Sequence, residues 1–176
     1  MKKVLAIALS VLMLVSLTAC GGNGGAAKLE GVSAPVDILN SVAASYTEDE
    51  RIPGEPMAVE AGDTDSLSFM LHCSEEAIGM IDSTAHYVHM MMANNFTAGS
   101  YKLKEGTDKS AFVAAMETSI DNTQWMCGFP EKLIIATLAD DYAVVVFGAG
   151  DLVDNFKTKL TAAYSVTEIA VEKALA

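Results

Sequence analysis

Basic side chains are scarce in this chain: 11 lysines and arginines stand against 23 aspartates and glutamates, a formal charge of −12. A surface of that sign repels phosphate backbones, which excludes nucleic acid as a partner. Histidine is scarcer still, at three, and no Gly-x-Ser-x-Gly occurs, so a nucleophile and its base have little to be built from. His72 stands beside Cys73, but adjacency in sequence does not aim an imidazole at a thiol. Long apolar runs are missing too. The first one, residues 4–15, falls well short of the ~20 residues that a membrane-spanning helix needs, and nothing later approaches that length.

That first run follows Lys2 and Lys3 and closes with Leu17-Thr18-Ala19-Cys20-Gly21. A positive start, a short apolar core and a small residue ahead of a cysteine resemble the leader and lipobox of bacterial lipoproteins. The resemblance implies cleavage between Ala19 and Cys20 and a diacylglyceryl group on the Cys20 thiol. Two acyl chains on one residue make anchoring stable where a single chain gives only marginal binding. Removing Lys2 and Lys3 with the leader makes the charge −14. Glycines crowd residues 21–25, so residues 20–32 read as a lipidated cysteine and a tether, its glycine-rich coil reaching roughly 20 Å. Residues 33–176 then form a single domain, long enough for a proper hydrophobic core. The expected location is extracytoplasmic, anchored to the membrane through Cys20, and on that side Cys73 and Cys127 can pair as a disulfide or stay reduced and buried.

Within the domain, Ser33 before Pro35 starts a helix over 34–46, with Val36, Leu39, Val42, Ala43 and Tyr46 at helical spacing. Residues 47–66 read as a surface loop carrying Pro53 and Pro56. Ser74 caps a helix with Glu75 and Glu76 in its first turn. Ile78, Ile81, Ala85, Val88 and Met92 continue its period, although Gly79 weakens it and 86–92 can also be extended. A strand over 97–104 leads to a helix capped by Thr107 or Asp108 and striped by Phe112, Val113, Met116 and Ile120. The runs 133–139 and 142–147 form a hairpin around Asp140-Asp141. Leu152, Val153, Phe156, Leu160 and Tyr164 mark a closing helix, and Ser165 with Glu168 starts a last helical piece. The fold class is therefore α+β: a small mixed or antiparallel sheet in the order strand, helix, strand, strand, helix, with helices mainly on one face.

From residue 90 onward, Met90-Met91, the stretch Tyr101-Lys102-Leu103-Lys104-Glu105-Gly106, Trp125 with Pro130, and residues 142–147 also resemble an uncharacterised domain family found in lipoproteins of clostridia. The resemblance implies location and architecture and transfers no catalytic residue.

Candidate chemistry is thin. On a helix, Asp82, His86 and His89 share one face, and two imidazoles with a carboxylate suit zinc or a similar divalent ion. Met90, Met91 and Met92 beside His89 offer thioethers for Cu(I), against the plainer role of adaptable core filling. Residues 144–153, VVVFGAGDLV, have the strand, Gly-x-Gly turn and helix of a phosphate cradle, yet Val153 replaces the third glycine and Asp151 places a negative charge at the cradle. Asp63-Thr64-Asp65 starts like a calcium loop that Leu67 and Phe69 fail to continue. Asn95-Phe96-Thr97 matches a glycosylation acceptor and reads as a turn. No cofactor and no catalytic residue is expected. The resulting expectation is a membrane-anchored, non-enzymatic binding or envelope-accessory module whose protein or small-ligand partner is unknown. Its rivals are a divalent-metal binder through Asp82, His86 and His89, and an extracytoplasmic hydrolase.

Overall fold

The computed structural model describes residues 29–175, except 61, 127 and 140. The leader, Cys20 and the glycines after it lie outside the described residues. Helix α1 spans Pro35–Ala44; Asp37 reaches back to accept the N–H of Ser33 and Ala34, both at 2.9 Å, and offsets the bare donors of the first turn. The folded part begins ahead of the expected boundary at 33, because Leu29 is buried in the same cluster as α1 and Val32 packs on it.

Six strands follow: β1 Met57–Val59, β2 Ile81–Val88, β3 Phe96–Leu103, β4 Lys132–Thr137, β5 Tyr142–Gly148 and β6 Glu168–Ala174. They form one sheet in the order β1-β2-β3-β5-β4-β6, and every neighbouring pair is antiparallel. The α+β class with an antiparallel sheet therefore stands. Helix α2 is Glu75–Met80, α3 is Lys109–Asp121 and α4 is Gly150–Ala163.

The expectation of helices mainly on one face does not hold. Helices α1 and α4 cover one face, where Ile38, Leu39, Val42, Phe156 and Leu160 meet Tyr87, Phe96, Ile134 and Val146. Helices α2 and α3 cover the other, where Ala77, Phe112, Met116 and Ile120 meet Tyr101, Leu103, Ile135 and Val145. The connections explain this. The crossover from β3 through α3 to β4 skips over β5, and that from β5 through α4 to β6 skips over β4. Both steps move the same way across the sheet, but they leave strands that run in opposite directions. Crossovers of one hand must then place their helices on opposite faces. The unbroken apolar runs of β4 and β5 belong to strands covered on both sides.

Two segments read as helical are strand, the first of them agreeing over 86–88 with the extended alternative. The helix begun by Ser74, whose Oγ accepts the N–H of Ala77 at 3.2 Å, stops at Met80, and β2 begins at once. Residues 81–88 pair with β3 along their length, with an irregularity between Ile81 and Ser83. Residues 165–174 hold Ala, Glu and Lys that favour helix beside Val166, Thr167, Ile169 and Val171 that favour strand, and from Glu168 they take the open edge of β4. Ladder pairing outweighs a propensity of a few tenths of a kcal/mol per residue. Alternation then sends Glu172 to α4's side, where Lys132 and Lys157 bind it at 2.7 and 2.8 Å, and Lys173 to α3's side, onto Glu117 and Asp121 at 2.8 and 2.6 Å. The loop expected over 47–66 also contributes β1, which pairs with β2 at the opposite edge. No helix among the described residues is long and apolar enough to cross a membrane.

Candidate binding surface

Strand register places several loops at one end of the sheet. Phe96 opens β3 opposite Gly148 at the end of β5, and Gly148 also faces Lys132 at the start of β4. The turn 89–95 between β2 and β3 and the segment 122–131 ahead of β4 therefore meet at that end, with the start of α4 beside them. The turn is held by backbone bonds on three sides: His89 N–H to Phe96 O, Met90 N–H to Pro53 O, and Ala149 N–H to Asn95 O, each 2.9 Å. Inside it, His89 Nδ1 accepts from the N–H of Met91 and Met92 at 3.3 Å. That pair of bonds fixes the tautomer with its proton on Nε2.

The expected role of the methionines as core filling is overturned. Met90, Met91 and Met92 are 75%, 80% and 52% exposed, and Met126 and Phe129 from the second segment are 88% and 74% exposed. Consecutive residues in a tight turn cannot all face inward, and the core beneath is already filled by Phe96, Tyr87 and Phe156. Next to the turn lies an open cleft of about 660 Å³, bounded by Asp49, Glu50, Arg51, His89, Asp151 and Asn155 among others. Glu50 accepts the Thr47 N–H at 2.9 Å and is bridged to Lys159 at 3.0 Å, which hold its carboxyl down at about 2.

The expected metal triad does not assemble. With 81–88 a strand, the shared helical face disappears: Asp82 sits at the irregular start of β2, His86 lies mid-strand opposite Gly99, and His89 is past the strand's end. Among the described residues no group of three His, Cys, Asp or Glu is placed to hold a metal ion. His86 Nδ1 is buried without a hydrogen-bond partner among the described residues, and burial lowers its pKa. A copper site through His89 meets the same difficulty in another form, since its bare nitrogen already serves the turn.

The phosphate-cradle reading fails at an identifiable atom. Glu131 Oε2 accepts the Gly150 N–H at 2.9 Å, and Asp151 turns back onto the Leu152 N–H at 2.9 Å. The start of α4 is thus capped by the protein's own carboxylates. Asp63 likewise spends both oxygens on Ser66, so the calcium-loop start is a turn cap. Thr97 Oγ1 donates to Ala93 O at 2.9 Å, closing the turn at the Asn95 motif.

Cys73 is a free, buried thiol that donates to Tyr101 Oη at 3.7 Å, and burial pushes its pKa up to about 12. Cys127, the other half of the expected bridge, lies outside the described residues. His72 turns away from Cys73 toward the rings of Trp125 and Phe147, at centroid distances of 4.7 and 5.5 Å, and burial lowers its pKa. It takes a left-handed φ of 51°, and Ser119 Oγ donates to its carbonyl at 2.6 Å. Thiol and imidazole are held apart by two different sets of neighbours.

Sequence reasoning missed the exposed apolar end of the sheet. The signal was there: residues 122–130 contain no charged side chain, and residues 88–97 contain none but His89. Comparison of the chain with protein-family models, with curated proteins and with solved structures gave no match.

Proposed function

We propose that this protein is a membrane-anchored extracytoplasmic binding module, tethered by lipid on Cys20 and acting without catalysis. The lipobox-like Leu17-Thr18-Ala19-Cys20 after a short apolar leader carries the reading. The likeness of the later residues to the domain family of clostridial lipoproteins belongs to the same proposal. The Cys73 thiol is sealed at the sheet with a raised pKa, whereas the loop end offers exposed apolar side chains beside an acid-lined cleft. A buried thiol is inert, and an exposed apolar patch marks an interaction site.

Metabolic labelling with a clickable fatty acid tests the anchor. Label is expected on the wild-type chain in the membrane fraction and none on Cys20→Ala. Absence of label on the wild-type chain, or equal label on both, overturns the proposal.

A further inference from the structure

The loop end of the sheet combines two features that point to one kind of ligand. Its apolar side chains are large and exposed: Met90, Met91, Met92, Met126 and Phe129. At about 200 Å² for a full side chain of this size the open surface of the three turn methionines comes to roughly 400 Å², within the ~300–600 Å² of an exposed apolar patch that is often functional. Met90, Met91 and Met92 adjoin the cleft through His89 and Asn95 of their own turn, whereas Trp125, beside Met126, packs on Phe147 on the α2/α3 face. The backbone beneath the methionine turn is fixed by bonds to Pro53, Phe96 and Ala149, so docking orders only flexible thioether side chains, which adapt to irregular apolar surfaces at small cost.

The second feature is the charge around this patch. Asp49 and Asp151 line the adjoining cleft and Glu131 stands at its helix-start edge. Asp121 and Glu50 lie near but are already bridged to Lys173 and Lys159. Arg51 is the base that lines the cleft. An uncharged apolar turn next to an acidic trough complements a ligand with one apolar face and one cationic face.

We infer that this end is a docking surface for a cationic amphipathic helical segment of another polypeptide, its apolar face on Met90–Met92 and its lysines or arginines in the Asp49/Asp151 cleft. The inference rests on the binding-module reading and names its partner class.

The test uses the chain from residue 20 onward carrying Cys20→Ser, whose folded part buries its own core on both sides of the sheet. A dye-labelled 18-residue Leu/Lys amphipathic peptide is titrated with this chain and followed by fluorescence anisotropy, beside a twin with glutamate in place of lysine. The lysine peptide should bind at least about tenfold more tightly, a difference of ~1.4 kcal/mol. Met90→Gln with Met91→Gln should weaken it about tenfold. Asp49→Asn with Asp151→Asn should weaken it less and flatten its salt dependence. Both pairs are surface changes, and their melting curves check that the fold persists.

Equal binding of the two peptides, or full binding by the folded methionine variant, overturns the inference. So does a dimer in sedimentation that the methionine variant abolishes, which assigns the surface to a second copy. Adsorption to neutral phosphatidylcholine vesicles lost in the same variant would assign it to a bilayer. Because Cys20 is replaced throughout, failure here is separate from failure of the anchor, which the labelling experiment reads alone.

Discussion

Replacing Gly148 by alanine strikes the joint between the sheet and the methionine turn. Gly148 ends β5, pairs with both Phe96 and Lys132, and has a φ of +150° that side-chain-bearing residues rarely adopt. A Cβ built there overlaps the carbonyl oxygen of Asn95 and lies 2.8 Å from both its carbonyl carbon and Phe96 Cα. These are backbone atoms with no rotamer to escape into, and the same Asn95 carbonyl accepts the Ala149 N–H. Backbone strain of about 1–3 kcal/mol and overpacking of about 1–3 kcal/mol together give about 3–4 kcal/mol of destabilisation. For a domain of this size that lowers the melting temperature by about 10 °C. Gly79→Ala is the matched control. Gly79 lies in α2 with nothing within 4 Å of its added Cβ, so alanine should raise stability by about 0.5–1 kcal/mol. Urea unfolding of both variants reads the pair. A loss under 1 kcal/mol for Gly148→Ala, or any loss for Gly79→Ala, refutes the reasoning.

Two further predictions concern the buried polar groups. His72 and His86 both have pKa values lowered from 6.5 by burial, so the unfolded chain takes protons first as pH falls. Stability present above pH 6.5 is therefore lost as pH drops through their folded values, above the range where Glu50 and Glu172, lowered from 4.5, begin to count. Both rings are partly solvated, so the slope should stay well under the ~1.4 kcal/mol per pH unit of one fully differential proton. Unfolding between pH 7.5 and 5 should show this fall in the wild type and a flatter line in His72→Asn with His86→Gln; identical lines would contradict it. Ser100 Oγ, fully buried, donates to Pro35 O at 2.7 Å and ties α1 to β3. Ser100→Ala should cost about 1 kcal/mol in chemical denaturation, and an unchanged midpoint would show that the bond contributes nothing net.

Much of the fold was legible because its signals were local. Helices α1, α3 and α4 carry their own stripes, Asp108 caps α3 through the Ser110 N–H as expected, and the β4–β5 hairpin is two apolar runs about an acidic turn. The errors lie where a distant partner decided. Ile78, Ile81, Ala85 and Val88 keep a helical period, yet β3 offered residues 81–88 a full ladder. Residues 168–174 mix helix-favouring Ala, Glu and Lys with Ile169 and Val171, and the edge of β4 was open to them. Once 81–88 became a strand, the spacing that had joined Asp82, His86 and His89 ceased to mean proximity. The methionines were misplaced for a related reason: apolar residues are assigned to the core by default, and only the closed turn from His89 to Asn95 shows that three in a row must face outward.

The central claim is that this domain is held outside the cytoplasmic membrane by acyl chains on one sulfur atom. Mass spectrometry of the amino-terminal peptide from the native protein tests it most directly. The account predicts a chain that begins at Cys20, heavier by a diacylglyceryl group on Sγ. An intact leader, or a Cys20 with a bare thiol, contradicts it.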